Sequence, residues 1–223
     1  MDAVLPFSSG LGIILRCDDG DYQAALAGPP ATGHTRELRI AVQDGQLHPQ
    51  TWNVGARPDI ALADIPAFFA RSLRAGGKLA VVIPGGAGDG RNLRHEVELP
   101  PSTASIDATL AACGRPLVDP RDALLGDIGP HGLPAEITWR VPPRPDYPPG
   151  PMYSRAYAVV SCLAQPSGAL SDCLVESEFP HGQDFGRTAV RAARRASVRI
   201  NYPPGAPVAP RRISFRVNYI VTP

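Results

Sequence analysis

The chain has 223 residues, of which 43% are hydrophobic and 19% charged, enough apolar content for a folded core in one large domain or two ordinary ones. A net charge of +1 gives no whole-molecule attraction to nucleic acid or to an anionic membrane. With 22 Gly and 26 Pro the chain stays below the share typical of disordered, low-complexity sequences.

The opening MDAVLPFSSGLGIILRCDDG has no basic leader, and its apolar run LGIIL is too short for a signal-peptide core. Any export signal is therefore expected to have been removed or to lie upstream. No apolar run approaches the roughly 18 residues that would span a membrane. Residues 11–54 read as antiparallel β. Leu11, Ile13, Leu15 and Cys17 alternate before a turn at DDGD, DYQAALAG returns, and Leu38, Ile40 and Val42 alternate next. Asp44 with Gly45 is a hairpin turn leading into QLHPQTWNV. Asp64 is expected to cap a helix with Ile65, Phe69 and Leu73 on one face, stopping at Gly76 and Gly77. A hairpin across GGAGDG follows, from KLAVVIP to NLRHEVELP. Ser102 or Ser105 then opens a helix carrying Ile106, Leu110 and Cys113, which Gly114 ends.

Between Arg115 and Pro151 the periodicity is lost, and six prolines from Pro142 to Pro151 favour a semi-rigid, extended spacer. Beyond it, alternation about Pro166, Ser167 and Gly168 reads as a hairpin that sets Val160 opposite Val175 and Cys162 opposite Cys173. Asp184 is a good N-cap for a helix with Phe185, Ala189, Ala192, Ala193 and Ala196 on one side. Arg187, Arg191, Arg194 and Arg195 fall on the other. Ile213, Phe215, Val217, Tyr219 and Val221 alternate with Ser214, Arg216 and Asn218 in a final strand. The expected fold is α+β: an antiparallel β-rich domain with two helices over residues 1–115, a Pro-rich linker over 116–150, and a ββαβ domain over 151–223.

Four cysteines with no CxxC pair and no His at ligand spacing argue against a metal centre. The hairpin register pairs Cys162 with Cys173, which leaves Cys17 with Cys113 by elimination. Two bridges imply an oxidising compartment. Four reduced thiols in a cytosolic protein are the competing reading.

The order PPRPDYPPGPMYSRA, PSGALSDCLVESE, DFGRTAVRAARRA and RISFRVNYIV over residues 142–223 resembles the C-terminal domain of TonB-type proteins of Gram-negative bacteria. That resemblance implies a non-enzymatic periplasmic protein that captures an extended segment of a periplasmic or outer-membrane protein beside its last strand, in connection with TonB-dependent transport. TonB-type transducers carry an inner-membrane helix, and the apolar runs here supply none, so energy transduction is not implied. A weaker likeness over residues 11–115 is carried by ILRC, TWNV, IPAFFARSLRAGGKLAVVIP and LAACG. These pieces resemble an exported β-rich family typified by the type VI secretion-associated protein VasI, which has two cysteines in corresponding places and supports Cys17 with Cys113.

Sites for other chemistry are weak. GGAGDG lacks the Lys and Ser or Thr of a phosphate loop, and a loose turn is the better reading. His34, His48, His131 and His181 fall in loops or at strand ends, whereas His95 shares a strand face with Leu93, Val97 and Leu99 and is expected to be half-buried and hydrogen-bonded. Asp18, Asp19 and Asp21 cluster at a turn without regular calcium-ligand spacing. No nucleophile motif occurs, so no catalytic residue, metal or cofactor is expected. The arginine face of the second-half helix is read as solvated, with peptidoglycan, lipid headgroups or phosphate as the functional alternatives. Ser214, Arg216 and Asn218 are the expected partner-binding residues, their side chains on the solvent face. The alternative to peptide capture is a structural or assembly module of the cell envelope or of a secretion system.

Overall fold

The computed structural model describes residues 1–30, 35–43, 45–55, 57–125 and 133–220. The protein is α+β, and the mostly antiparallel strands and three short α-helices among the described residues divide into two compact units, Met1–Asp119 and Pro120–Pro223.

The first unit runs β1 (Asp2–Pro6), β2 (Gly12–Asp18), β3 (Asp21–Ala27), β4 (Thr35–Val42), β5 (His48–Val54), β6 (Ile60–Ala63), α1 (Pro66–Leu73), β7 (Gly77–Ile83), β8 (Leu93–Leu99) and α2 (Ala104–Ala112). Its eight strands form one sheet in the order β1-β2-β3-β6-β5-β4-β7-β8. Asp19 and Gly20, both at positive φ, make the two-residue turn between β2 and β3, where Asp18 faces Asp21. The short β6 enters between β3 and β5, and one arginine holds the chain leading into it. Arg36 donates to the carbonyls of Pro30, Pro58 and Ile60 at 2.9, 3.0 and 3.0 Å. Burial lowers the Arg36 pKa, opposed by the nearby Asp59 carboxylate.

Leu26, Leu38, Leu79, Val81 and Leu110 are buried to the last atom or nearly so, and Trp52 meets Phe69 of α1 edge to face at 5.0 Å. Both helices start differently from the sequence expectation. Asp64 does not cap α1: the cap position is Ile65, Pro66 sits in the first turn, and the Asp64 carboxylate accepts the Asn53 amide instead. The cap position of α2 is Thr103, and neither Ser102 nor Ser105 occupies it. Gly114, at φ +60°, ends α2 as expected. Cys113 closes the disulfide to Cys17 of β2, with Cα atoms 5.5 Å apart. GGAGDG is a hairpin connection between β7 and β8. The turn residue Asp44 lies outside the described residues, as do His34 and His131.

The second unit has a 3-10 turn (Pro120–Leu124), then β9 (Ile137–Val141), β10 (Ala156–Ala164), β11 (Leu170–Phe179), α3 (Phe185–Ala193), β12 (Ser197–Ile200) and β13 (Arg211–Tyr219). The order ββαβ is present with additions: a three-stranded sheet β11-β10-β13 and a separate two-stranded sheet β12-β9. The stretch expected to be a spacer, 116–150, is therefore more than one. Ile137 is a core residue, Trp139 meets Phe215 edge to face at 5.1 Å, and the Tyr147 ring lies 5.4 Å from Phe185 and 6.0 Å from Tyr219. Prolines keep this segment extended, but the aromatic and aliphatic residues among them bring it onto the core.

The hairpin register holds at Val160 opposite Val175 and shifts on both sides of it. Near the turn Ala164 faces Leu170, so Pro166, Ser167 and Gly168 form a three-residue loop with Gly168 at φ +87°. The extra residue is absorbed by a bulge around Asp172, at φ +47°, and Cys162 still bonds to Cys173. On the core face, Ala158, Val160, Cys162 and Ala164 of β10 meet Ile213, Phe215 and Tyr219 of β13 beneath Phe185, Ala189 and Ala193 of α3. Alanine at successive inward positions lets the helix lie close to the sheet, while Arg187, Arg191, Arg194 and Arg195 are exposed.

Candidate functional site

The candidate site is β13 and its outer side. β13 ends the three-stranded sheet, with all nine of its residues paired to β10, from Ala156 opposite Tyr219 to Ala164 opposite Arg211. Among the described residues the other side of β13 carries one bridge, a parallel one between Leu125 and Arg212. Among the described residues that side carries no further bridge toward Tyr219, and Arg216, Val217 and Asn218 are the residues of this stretch that are not buried.

The expected binding residues separate along the strand. Asn218 is exposed, and Arg216 is half-buried with its guanidinium 3.7 Å from the centroid of the Tyr157 ring and its Nε donating to Asn218 Oδ1 at 2.9 Å. Tyr157 in turn stacks near-parallel on Phe179 at 5.9 Å. Ser214 is not on the solvent face as expected: it is 4% exposed. The reason is its neighbour on the same face, Arg212, whose side chain is wholly buried. Its guanidinium donates to Glu176 of β11 at 2.7 Å and to Asp122 of the 3-10 turn, and Glu176 also accepts the Ser161 hydroxyl. A guanidinium is removed from water only with such partners, and sealing it seals Ser214 too. Alternation places Arg212, Ser214, Arg216 and Asn218 on one face, but reveals nothing about an acid 36 residues away in sequence.

At the other end of the strand the Tyr219 hydroxyl donates to the Phe185 carbonyl at 2.7 Å and shares a 2.7 Å hydrogen bond with Thr188. Burial pushes the Tyr219 pKa up, against the Thr188 hydrogen bond. This anchors the end of β13 to the start of α3.

Elsewhere, His95 is half-buried as expected, but its Nε2 is enclosed with no hydrogen-bond partner among the described residues. Among the described residues no group of three or more His, Cys, Asp or Glu is placed to hold a metal ion, and no helix is long and apolar enough to cross a membrane. Comparison with protein families, with curated proteins and with solved structures finds no match to this chain.

Proposed function

We propose that the second unit binds an extended segment of another protein by adding it as a strand beside β13, as the resemblance to TonB-type C-terminal domains implies. The observation that supports this reading is the one-sided pairing of a nine-residue strand, bridged on its outer side only at Arg212 among the described residues. Backbone hydrogen bonding would supply most of the affinity, and Arg216 with Asn218 would sort partners by their side chains. Two disulfides fit an oxidising compartment, and the periplasm is the compartment that matches the proposed partner, a periplasmic or outer-membrane protein.

A displayed library of extended peptides, panned against the full-length chain, supplies a binder. That binder is then remade with N-methyl groups on alternate residues, in two sets. Strand addition requires that one set abolish binding and the other leave it nearly intact, because only every second amide faces β13. Retention of binding with both sets, or failure of any extended peptide to bind the folded chain, would overturn the proposal.

A further inference from the structure

The first unit contains a space its own side chains do not fill. A cavity of about 450 Å³ is walled by Leu5 of β1, Ile13 and Leu15 of β2, Leu73 of α1, Leu99 of β8 and Ile106 of α2. Folded interiors leave few voids larger than a water molecule, and apolar cavities that persist stay dry and accept apolar guests. Its size lies within the range of ligand pockets, about 300–1,000 Å³.

The lining selects the guest. No aromatic residue lines the cavity, so no ring face is offered for stacking, and the buried walls are entirely aliphatic. Exposed residues form the rim, among them Met1, Asp2, Ser102, Ala104 and Ser105. Asp2 is the only charged side chain in the lining, and Arg16, bonded to it at 3.0 and 2.9 Å, holds its carboxyl below the ordinary aspartate value. The Met1 ammonium, also in the lining, donates to the Cys17 carbonyl at 2.6 Å; with that cation and Arg16 already engaged, an anionic headgroup gains little at the rim, while two serine hydroxyls suit a neutral one. At about 30 Å³ for a group the size of a water molecule, the space holds on the order of a dozen methylenes.

We propose that this cavity binds a single aliphatic chain of medium length with an uncharged hydroxyl or ester head, the head at Ser102 and Ser105 and the chain among Leu15, Leu73 and Leu99. The proposal is independent of peptide capture by the second unit.

The probes are decan-1-ol and decanoate, titrated into the full-length chain at neutral pH by calorimetry and followed by the unfolding temperature. Decan-1-ol is expected to bind saturably at one site and to raise the unfolding temperature, with decanoate about tenfold weaker, a difference worth about 1.4 kcal/mol. In Asp2→Asn, which leaves Arg16 at the rim without its carboxylate, decanoate should gain most of that factor back. Ala104→Trp, at an exposed rim position, should lose decan-1-ol binding while unfolding at the wild-type temperature. Absence of saturable decan-1-ol binding, equal affinity of the wild type for the two probes, tighter binding of 2-naphthol, or undiminished binding in Ala104→Trp would each overturn the assignment. Asp2→Asn tests the rim without touching the apolar walls, so misfolding of the tryptophan variant would not remove the test.

Discussion

The carboxylate of Glu178, near the end of β11, accepts the backbone N–H of Gly186 in the first turn of α3, and its second oxygen accepts the N–H of Gly182 at 2.9 Å. The helix is thus capped from a neighbouring strand and not by Asp184, which stands at the cap position at φ +63° and pairs instead with Arg187 at 2.6 Å. An anion at exposed N–H groups both satisfies the donors and opposes the helix dipole. The sequence expectation named the right position for the cap and the wrong carboxylate.

Glu178→Gln should therefore lower stability by about 1 kcal/mol, the usual worth of a cap, whereas Asp184→Ala should change it by only a few tenths. Chemical denaturation of the two variants decides the point, and equal effects would return the cap to Asp184. Gly186 permits the arrangement: a Cβ there would lie 2.5 Å from Val175 Cγ1 and 3.0 Å from the Glu178 oxygen. Gly186→Ala is expected to cost more than Glu178→Gln.

The buried charges around Arg212 give a second prediction. Glu176→Ala takes the buried partner from a guanidinium that has no exposed surface and leaves it the part-exposed Asp122 carboxylate, at a cost of about 3 kcal/mol, the low end for a broken buried pair. Arg212→Met combined with Glu176→Leu and Ser161→Ala removes the two buried charges and the hydroxyl that would lose its acceptor, leaves Asp122 to hydrate through its exposed side, and should recover most of that loss. If the combined variant is as unstable as the single one, the pair is not a coupled unit.

A third prediction concerns where the second unit begins. A fragment of residues 120–223 should fold with the Cys162–Cys173 bridge formed, while one of residues 151–223 should melt far lower. The shorter fragment lacks β9, the strand that pairs with β12 in the two-stranded sheet, and the apolar side chains of Leu133, Ile137 and Tyr147. Each large apolar side chain buried contributes roughly 1.5–3 kcal/mol. Similar thermal unfolding of the two fragments would restore the Pro-rich stretch to the role of a spacer. Non-reducing peptide mapping of the whole chain should find Cys17 joined to Cys113. On chain-entropy grounds its 96-residue separation stabilises by about 4.7 kcal/mol, against about 2.8 for the 11-residue bridge.

Acid sensitivity should be traceable to Asp107. Its carboxylate accepts from Arg74 Nε at 2.7 Å and from the Thr103 hydroxyl at 3.1 Å, and the arginine hydrogen bond is the main cause of its lowered pKa. A carboxyl whose folded value is depressed contributes stability that is present above its unfolded value, near 3.8, and is lost as pH falls through the folded one. Asp107→Asn should be less stable than wild type at neutral pH, and the gap should close below about pH 4. A gap that is constant with pH would mean the charge is not what Arg74 reads.

The elements legible in the sequence were those with enough periods to count. α3 shows its inward alanines Ala189, Ala192 and Ala193 and its outward arginines without ambiguity, and the β10–β11 hairpin shows its turn. β1, β6, β9 and β12 were missed, because strands of four or five residues such as IALA and SVRI are too short to display alternation. Non-local partners were the other blind spot. Glu178 on Gly186, Asn53 on Asp64 and Glu176 on Arg212 join residues whose proximity only the folded sheet creates. Of the expected site, Arg216 and Asn218 stay accessible and Ser214 does not, for that same reason.

Gly168, at the tip of the β10–β11 hairpin, accepts the amide of Val198 at 2.9 Å, and the neighbouring Ala169 bridges Ser197. A side chain at this tip would place its Cβ 2.1 Å from the Val198 oxygen. Hairpin tips usually fray first and exchange their amide protons at solvent-limited rates. Here the tip is held by the strand that follows α3, so its unravelling requires that β12 let go as well. The loop between the two bonded cysteines is thereby coupled to the cooperative melting of the whole unit, and a protease that seeks loose turns would find this one closed.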